Sequence, residues 1–263
     1  MGRKILVTSG KGGVGKTTIT AGLAIALSKM GLSVVVVDAD LGLNNLDCMM
    51  NVEDKVVFDL NDYLCGRCRL KQCLIQDSTF PNLYTLPAVK EGQKSQELES
   101  FYDLVDKLSH VFDYCLVDSP AGVEFNFKNA LSAVSEALVV VTPHLSSVRD
   151  AEKVLSMLDG SGVCVAGIVV NRLRGDLVVS KKMLSHTDIE NLLTRRVVAC
   201  IPESDAINIQ SSLRLDKAVS NEECLAFNIL ARNLHNGKGE EFDYLTKYKG
   251  FWGGVRRLVK RRV

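Results

Sequence analysis

The chain has 263 residues, 46% of them hydrophobic, and a formal net charge of +1. That length fits one large α/β domain or two small ones with a sizeable apolar core, and the near-zero balance excludes a body that is basic throughout and built to coat a polyanion. No run is long and apolar enough to span a bilayer as a helix, a β-forming run so close to Met1 leaves no room for a secretory signal, and eight scattered cysteines fit reduced thiols in a cytosol.

Residues 5–7 (Ile-Leu-Val) form a short β-forming run. Gly10-Lys11-Gly12-Gly13-Val14-Gly15-Lys16-Thr17 follows, and Thr18 opens an Ala/Leu/Ile-rich helix predicted over 18–30 and stopped at Gly31. The octapeptide fits G-x-x-x-x-G-K-[ST], the phosphate-binding loop of nucleotide hydrolases. Its glycines tolerate positive φ, so that successive backbone N–H groups can turn inward on phosphate oxygens. Lys16 supplies a cation for the β- and γ-phosphates, and the Thr17 hydroxyl is a hard oxygen ligand for Mg²⁺. The phosphates would rest on a helix N-terminus.

Residues 33–37 are a β-branched run without alternation, the pattern of a strand covered on both faces. It ends at Asp38-Ala39-Asp40. A helix is expected over 57–64, a strand over 82–86, and a helix over 94–110. Residues 114–117 form the next buried strand and run into Asp118-Ser119-Pro120-Ala121-Gly122, where a strand-ending carboxylate beside a flexible turn can hold a metal-bound water and sense a γ-phosphate. An aspartate in this position also serves as a plain helix cap, and the same alternative stands for Asp38. Strands are expected over 137–141, 163–170 and 196–201, with Ser146-Ser147 capping a helix that runs to 158. Alternating strands and helices predict a mostly parallel twisted sheet with helices on both faces, in which ligands bind beyond the carboxyl ends of the strands. Gly10, Asp38, Asp40, Asp118, Asn171 and Pro202 all lie at such ends.

Two stretches stand apart. Cys65, Cys68 and Cys73 cluster, but a structural zinc site needs four ligands and no nearby histidine completes one, so ordinary partly buried thiols are expected. Residues 243–263 carry seven basic side chains against one acidic one, leaving residues 1–242 at −5. At 100° per residue Leu245, Tyr248, Phe251, Trp252, Val255, Leu258, Val259 and Val263 fall in an apolar arc of about 140°, with Lys249, Arg256, Arg257, Lys260 and Arg261 opposite and Lys247 and Arg262 outside the separation. A basic amphipathic helix with Phe and Trp on its apolar face is the pattern of an in-plane membrane anchor, and Gly253-Gly254 weaken it enough to make folding depend on lipid. The expected organisation is an ATPase domain over 1–240 and a membrane-targeting segment over 241–263. Docking on its own body, or binding of a polyanion, are the other readings of this tail.

The lysine directly after the first glycine of the loop, together with Asp38-Ala39-Asp40-Leu41-Gly42-Leu43-Asn44-Asn45-Leu46-Asp47, Asp118-Ser119-Pro120-Ala121-Gly122, Ser146-Ser147-Val148-Arg149-Asp150, Val170-Asn171-Arg172 and Ile201-Pro202-Glu203, resembles the deviant Walker A ATPases, and within them the MinD family of septum-site-determining ATPases. The resemblance runs nearly end to end. It implies Mg²⁺-dependent ATP hydrolysis by a deviant Walker A P-loop fold. It implies that Gly10, Lys11, Gly12, Gly13, Val14, Gly15, Lys16, Thr17 and Thr18 hold the phosphates, with Lys11 reaching a partner's nucleotide across a dimer. Residues read on their own allow a milder role for Lys11, a solvated cation in a cationic loop. The resemblance assigns Asp40 to the attacking water, Asp38 and Asp118 with Thr17 to the metal, and Asn171 and the Pro202 region to adenine. ATP is favoured over GTP, and no N-K-x-D segment is present to read guanine. Residues 42–47 and 119–122 would be the switches.

The implied partners are a second copy in the presence of ATP, an anionic membrane surface, a division inhibitor of the MinC type and a stimulator of the MinE type, with no nucleic acid. The implied place is the cytoplasm, reversibly on the inner face of the plasma membrane. A MinD-like regulator of flagellar number, a DNA-segregation ATPase of the ParA type and an iron–sulfur carrier related to the nitrogenase iron protein are the alternatives. The second wants basic patches on a body that is here net negative.

Overall fold

The computed structural model describes residues 1–39, 45–88, 98–120, 125–204, 221–250 and 253. Its centre is an eight-stranded sheet in the order β3-β4-β2-β5-β1-β6-β7-β8. The strands are β1 (Arg3–Thr8), β2 (Val34–Asp38), β3 (Ile75–Gln76), β4 (Leu83–Leu86), β5 (Tyr114–Asp118), β6 (Glu136–Val141), β7 (Cys164–Leu173) and β8 (Val197–Pro202). Every neighbouring pair is parallel except β3 with β4. β2 and β5 are buried at all positions, as their unbroken apolar runs require of strands covered from both sides.

The helices are α1 (Lys16–Lys29), α2 (Asn45–Met50), α3 (Leu60–Leu64), α4 (Leu70–Cys73), α5 (Leu98–Ser109), α6 (Phe125–Ser132), α7 (Leu145–Ser161), α8 (Gly175–Val179), α9 (His186–Leu193) and α10 (Asn221–Asn236). From β1 the chain crosses one way through α1 to β2. It crosses the other way through α6, α7 and α9 to β6, β7 and β8. Right-handed crossovers in opposite directions put α1 on one face and the others on the other. α1 is buried from Ile19 through Ser28, so it carries small and aliphatic residues nearly all round. α10 packs on it where Gly22 leaves room for Phe227: a Cβ at Gly22 would stand 2.2 Å from that ring.

The chain does not leave the body at the end of α10. Asn233 donates to the Val198 and Glu240 carbonyls at 2.8 and 2.7 Å and accepts from the Glu240 N–H at 2.9 Å. Phe242, Tyr244 and Tyr248 are buried. The Tyr244 hydroxyl lies 2.7 Å from His186 Nδ1 on α9, and Gly175 at the start of α8 lies so close that a Cβ would meet the Tyr244 carbonyl at 2.0 Å. Residues 238–250 are therefore a docked strap. The boundary expected at 240/241 falls inside it.

Other details differ from the sequence reading. The helix expected over 57–64 starts at Leu60, because Asp59 and Asp62 form a reciprocal capping box there. The helix expected to be capped by Ser146-Ser147 is capped two residues before Ser146, by His144, and the Ser147 hydroxyl accepts from the Thr142 N–H at 3.0 Å instead. The two-residue β3 and the short α8 carry no pattern of their own.

Candidate nucleotide site

β1 ends in a loop whose backbone is set by its glycines. Gly13 has φ +74° and open space where a Cβ would be, and Gly15 has φ +94° as the left-handed N-cap of α1. The Ser9 hydroxyl donates to the Lys11 carbonyl at 2.8 Å and closes the loop's near side. The Ile19 N–H to Gly15 carbonyl bond, 2.9 Å, begins α1. The first turn of α1 contains no acidic side chain, so its N–H groups and positive dipole end meet no internal competitor for an anion. Lys16 is only 7% exposed. This is a cradle for phosphate.

Two carboxylates stand beside it. Asp38 and Asp118 are direct partners in the β2–β5 register, and both are buried. The Thr17 hydroxyl donates to Asp118 Oδ2 at 2.7 Å. Thr20 Oγ1 lies 2.8 Å from Asp118 Oδ1 and 3.0 Å from the Lys16 carbonyl, and its one proton serves one of them at a time. A threonine hydroxyl bound to a strand-ending carboxylate next to the loop is a hard-oxygen donor set, and it fits Mg²⁺. Thr20 was not anticipated. Its signal was its place one turn after Lys16.

Asn171 comes from β7. The β7–β8 register slips between Val170 and Leu173, and Arg172 there takes φ +58°. Asn171 is buried and donates from Nδ2 to the Val14 carbonyl at 2.8 Å, so it touches the phosphate loop itself. Pro202 is half-buried at the end of β8, at the sheet edge. Lys11 points outward. Its ammonium donates to the Ser146 hydroxyl at 3.2 Å on the first turn of α7, an exposed contact. Gly10 packs on the same helix, with Asp150 backbone atoms 2.3 Å from where its Cβ would be.

The structure thus brings Gly10 through Thr18, Asp38, Asp118 and Asn171 to one rim. Asp40, residues 42–44 and 121–122 of the expected switches, and the tail residues Phe251, Trp252, Val255, Leu258 and Val259 lie outside the described residues. Among the described residues no group of three or more His, Cys, Asp or Glu side chains is placed to hold a metal.

A mostly parallel sheet with a glycine-rich loop leading into a buried helix, Thr17 on a strand-ending aspartate and a second lysine in the loop define a P-loop ATPase of the deviant Walker A class. The family model described as ParA: NUBPL iron-transfer P-loop NTPase matches residues 1–227. The septum site-determining protein MinD of Synechocystis is 37% identical over 264 residues, covering 98% of this chain and 99% of that one. Among solved structures, the MinC:MinD cell division protein complex of Aquifex aeolicus superposes with a TM-score of 0.82 at 35% identity, covering 90% of this chain and 97% of that one. MinD of Pyrococcus horikoshii complexed with Mg-ADP gives 0.79 at 29%, covering 89% and 96%. The chain belongs to the MinD family of septum-site-determining ATPases, enzymes that hydrolyse ATP with Mg²⁺.

Proposed function

We propose that this chain is an ATP-driven membrane switch. It dimerises with ATP, docks on the inner face of the plasma membrane through the tail that follows the strap, residues 251–263, and positions the division septum by recruiting a division inhibitor of the MinC type. A stimulator of the MinE type then triggers hydrolysis and release. The observation that carries this reading is the placement of Lys11. A lysine inside a phosphate loop whose ammonium rests on the exposed Ser146 hydroxyl of α7, through one solvent-accessible bond, is placed to serve a nucleotide other than its own. Presented by a second copy, it would stabilise transition-state charge in trans, as an arginine finger does.

Each side chain has a task in this reading. The Gly10–Thr18 backbone and Lys16 bind the phosphates. Thr17 and Asp118 would hold the metal with Asp38 beside them, and Mg²⁺ supplies charge neutralisation at the β- and γ-phosphates when bound. Asp40 would orient the attacking water. Asn171 fixes the loop carbonyl at Val14, and with the Pro202 region it would contact adenine. The tail's separated basic and apolar faces support the membrane step.

The test is sedimentation velocity of the wild-type chain and Lys11→Ala with a slowly hydrolysed ATP analogue and Mg²⁺. Wild type is expected to shift to dimer and K11A to stay monomeric, while both bind Mg-ADP equally. A K11A protein that dimerises like wild type would overturn the reading.

A further inference from the structure

Cys68 and Cys73 lie outside the nucleotide site, and the ATPase chemistry makes no use of them. Their sulfurs are 2.9 Å apart, inside van der Waals contact and about 1 Å longer than a disulfide bond. The turn that holds them is tied on both sides. On the α3 side Asp59 and Asp62 cap the helix, the Arg67 N–H donates to the Asp62 carbonyl at 2.8 Å, and Arg67 Nε pairs with Asp62 Oδ1 at 2.9 Å. On the α4 side the Arg69 N–H donates to Gln72 Oε1 at 2.9 Å, and the Gln72 N–H returns a bond to the Arg69 carbonyl at 2.8 Å. The sulfurs are thus presented to each other by a turn that is held at both ends.

The two thiols are unlike. Cys68 is half-buried between the exposed Arg67 and Arg69, while Cys73 is fully buried. Burial and the contact with Cys68 push the Cys73 thiol well above the ordinary range. Cys115 and Cys200 are buried singly in strands, and burial pushes each up to about 12. Among the described residues neither has a thiol within contact, so they are inert by comparison.

We propose that Cys68 and Cys73 form a thiol–disulfide exchange site that closes to an intramolecular disulfide in reaction with a small anionic disulfide, for which glutathione disulfide is the probe. The Cys68 thiolate attacks one sulfur of the probe, and the first glutathione leaves as its thiolate. The Cys73 thiol then loses its proton to solvent and attacks the Cys68 sulfur of the mixed disulfide, which expels the second glutathione. Both cysteines are oxidised, the probe is reduced to two glutathiones, and the chain loses two hydrogens. The flanking arginines attract the probe's carboxylates. Because only a thiolate attacks, and the Cys73 thiol is hard to deprotonate, the closing step accelerates with rising pH. The site lies on the α3–α4 turn, which joins the sheet beside β4: the Leu60 N–H bonds the Pro87 carbonyl at 3.2 Å. β4 is separated from the phosphate loop's strand by β2 and β5, so the couple stands apart from the nucleotide site in the sheet.

The experiment treats the full chain with glutathione redox buffers from pH 7 to 9, quenches with acid, alkylates, and reads intact mass and a tryptic map. Wild type is expected to lose two hydrogens, to give linked Cys68 and Cys73 peptides, and to close several-fold faster at the higher pH. Cys73→Ala should stop at a stable glutathione adduct on Cys68, and Cys68→Ser should give no bond to Cys73. One equivalent of phenylarsine oxide, which bridges adjacent thiols, should protect both cysteines of the wild type from alkylation. A stable glutathione adduct on wild-type Cys68, or a bond that uses Cys65 instead, would overturn the proposal; both are read on wild type, whatever the variants do.

Discussion

Asn171 is the residue through which the sheet grips the phosphate loop. Its Nδ2 donates to the Val14 carbonyl, and a Cβ at Gly15 would stand 2.3 Å from that nitrogen. Gly15 is thus required twice, by φ +94° and by the amide against it. Asn171→Ala takes the amide donor from the buried Val14 carbonyl, a cost of about 1–3 kcal/mol. Part of that is expected as weaker ATP binding, on the order of tenfold, measured by calorimetric titration alongside a melting curve. Gly15→Ala should abolish binding, and Gly15→Ala in the Asn171→Ala background should recover the steric part while the backbone strain stays. Equal loss in the single and double variants would mean that the asparagine is a bystander. Asp118 carries its own expectation. Both its oxygens lie within 2.8 Å of a threonine hydroxyl, so Asp118→Asn, with one acceptor oxygen, must leave one hydroxyl without it. Turnover measured against Mg²⁺ concentration should fall at least a hundredfold while nucleotide is still retained.

The elements meet at places that a linear reading sees unevenly. The valine runs of β2, β6 and β7 and the all-round apolar α1 were legible because burial on both faces leaves no alternation to misread. The phosphate loop was legible because its geometry demands glycine. The aim of Asn171 was not, because it depends on a register slip and on φ +58° at an arginine, which nothing local announces. The strap over 238–250 stood only as an alternative for a related reason: its aromatic residues read as part of the amphipathic tail, and only tertiary packing separates them. Tyr248→Ala removes a buried ring from against α8 and should cost about 3 kcal/mol by denaturant unfolding. A loss under about 0.5 kcal/mol would mean the strap is not docked in solution. The start of β2 has a pH-dependent fastening. Asp113 accepts from the Ser33 N–H at 2.8 Å and from its hydroxyl at 2.7 Å, and these bonds hold the carboxyl below its ordinary range near 3.8. A depressed folded value stabilises the fold above the unfolded pKa, and this part is lost as pH falls through the lowered one. Asp113→Ala should therefore be less stable than wild type at neutral pH, with the gap narrowing below about pH 4 in acid-unfolding curves.

At the scale of the whole molecule, the fixed root of the tail decides how two copies would bind a surface. If 238–250 were a loose linker, the second tail of a dimer would search a wide volume and its effective concentration would fall with linker length. With Tyr244 and Tyr248 packed against α8 and α9, each body presents its tail from a set point, and the span between two tails is set by the dimer itself. One tail offers a few apolar side chains at up to about 2 kcal/mol each and basic residues at about 1 kcal/mol each on an anionic leaflet, less the cost of ordering a helix that contains two adjacent glycines. In the proposed switch one tail would thus be a weak anchor. Two tails held at a fixed spacing gain on the order of 10²–10⁴ in avidity without a new contact. Trp252 is the only tryptophan in the chain and lies in the apolar arc of the tail, so it reports this directly. With anionic vesicles its emission is expected to shift blue with Mg-ATP and to stay unshifted with Mg-ADP, and Tyr248→Ala, its tail root loosened, should need more lipid for the same shift. A shift that ignores the nucleotide would leave the anchor and remove the switch. A spectrum already blue without vesicles would place the tail on its own body.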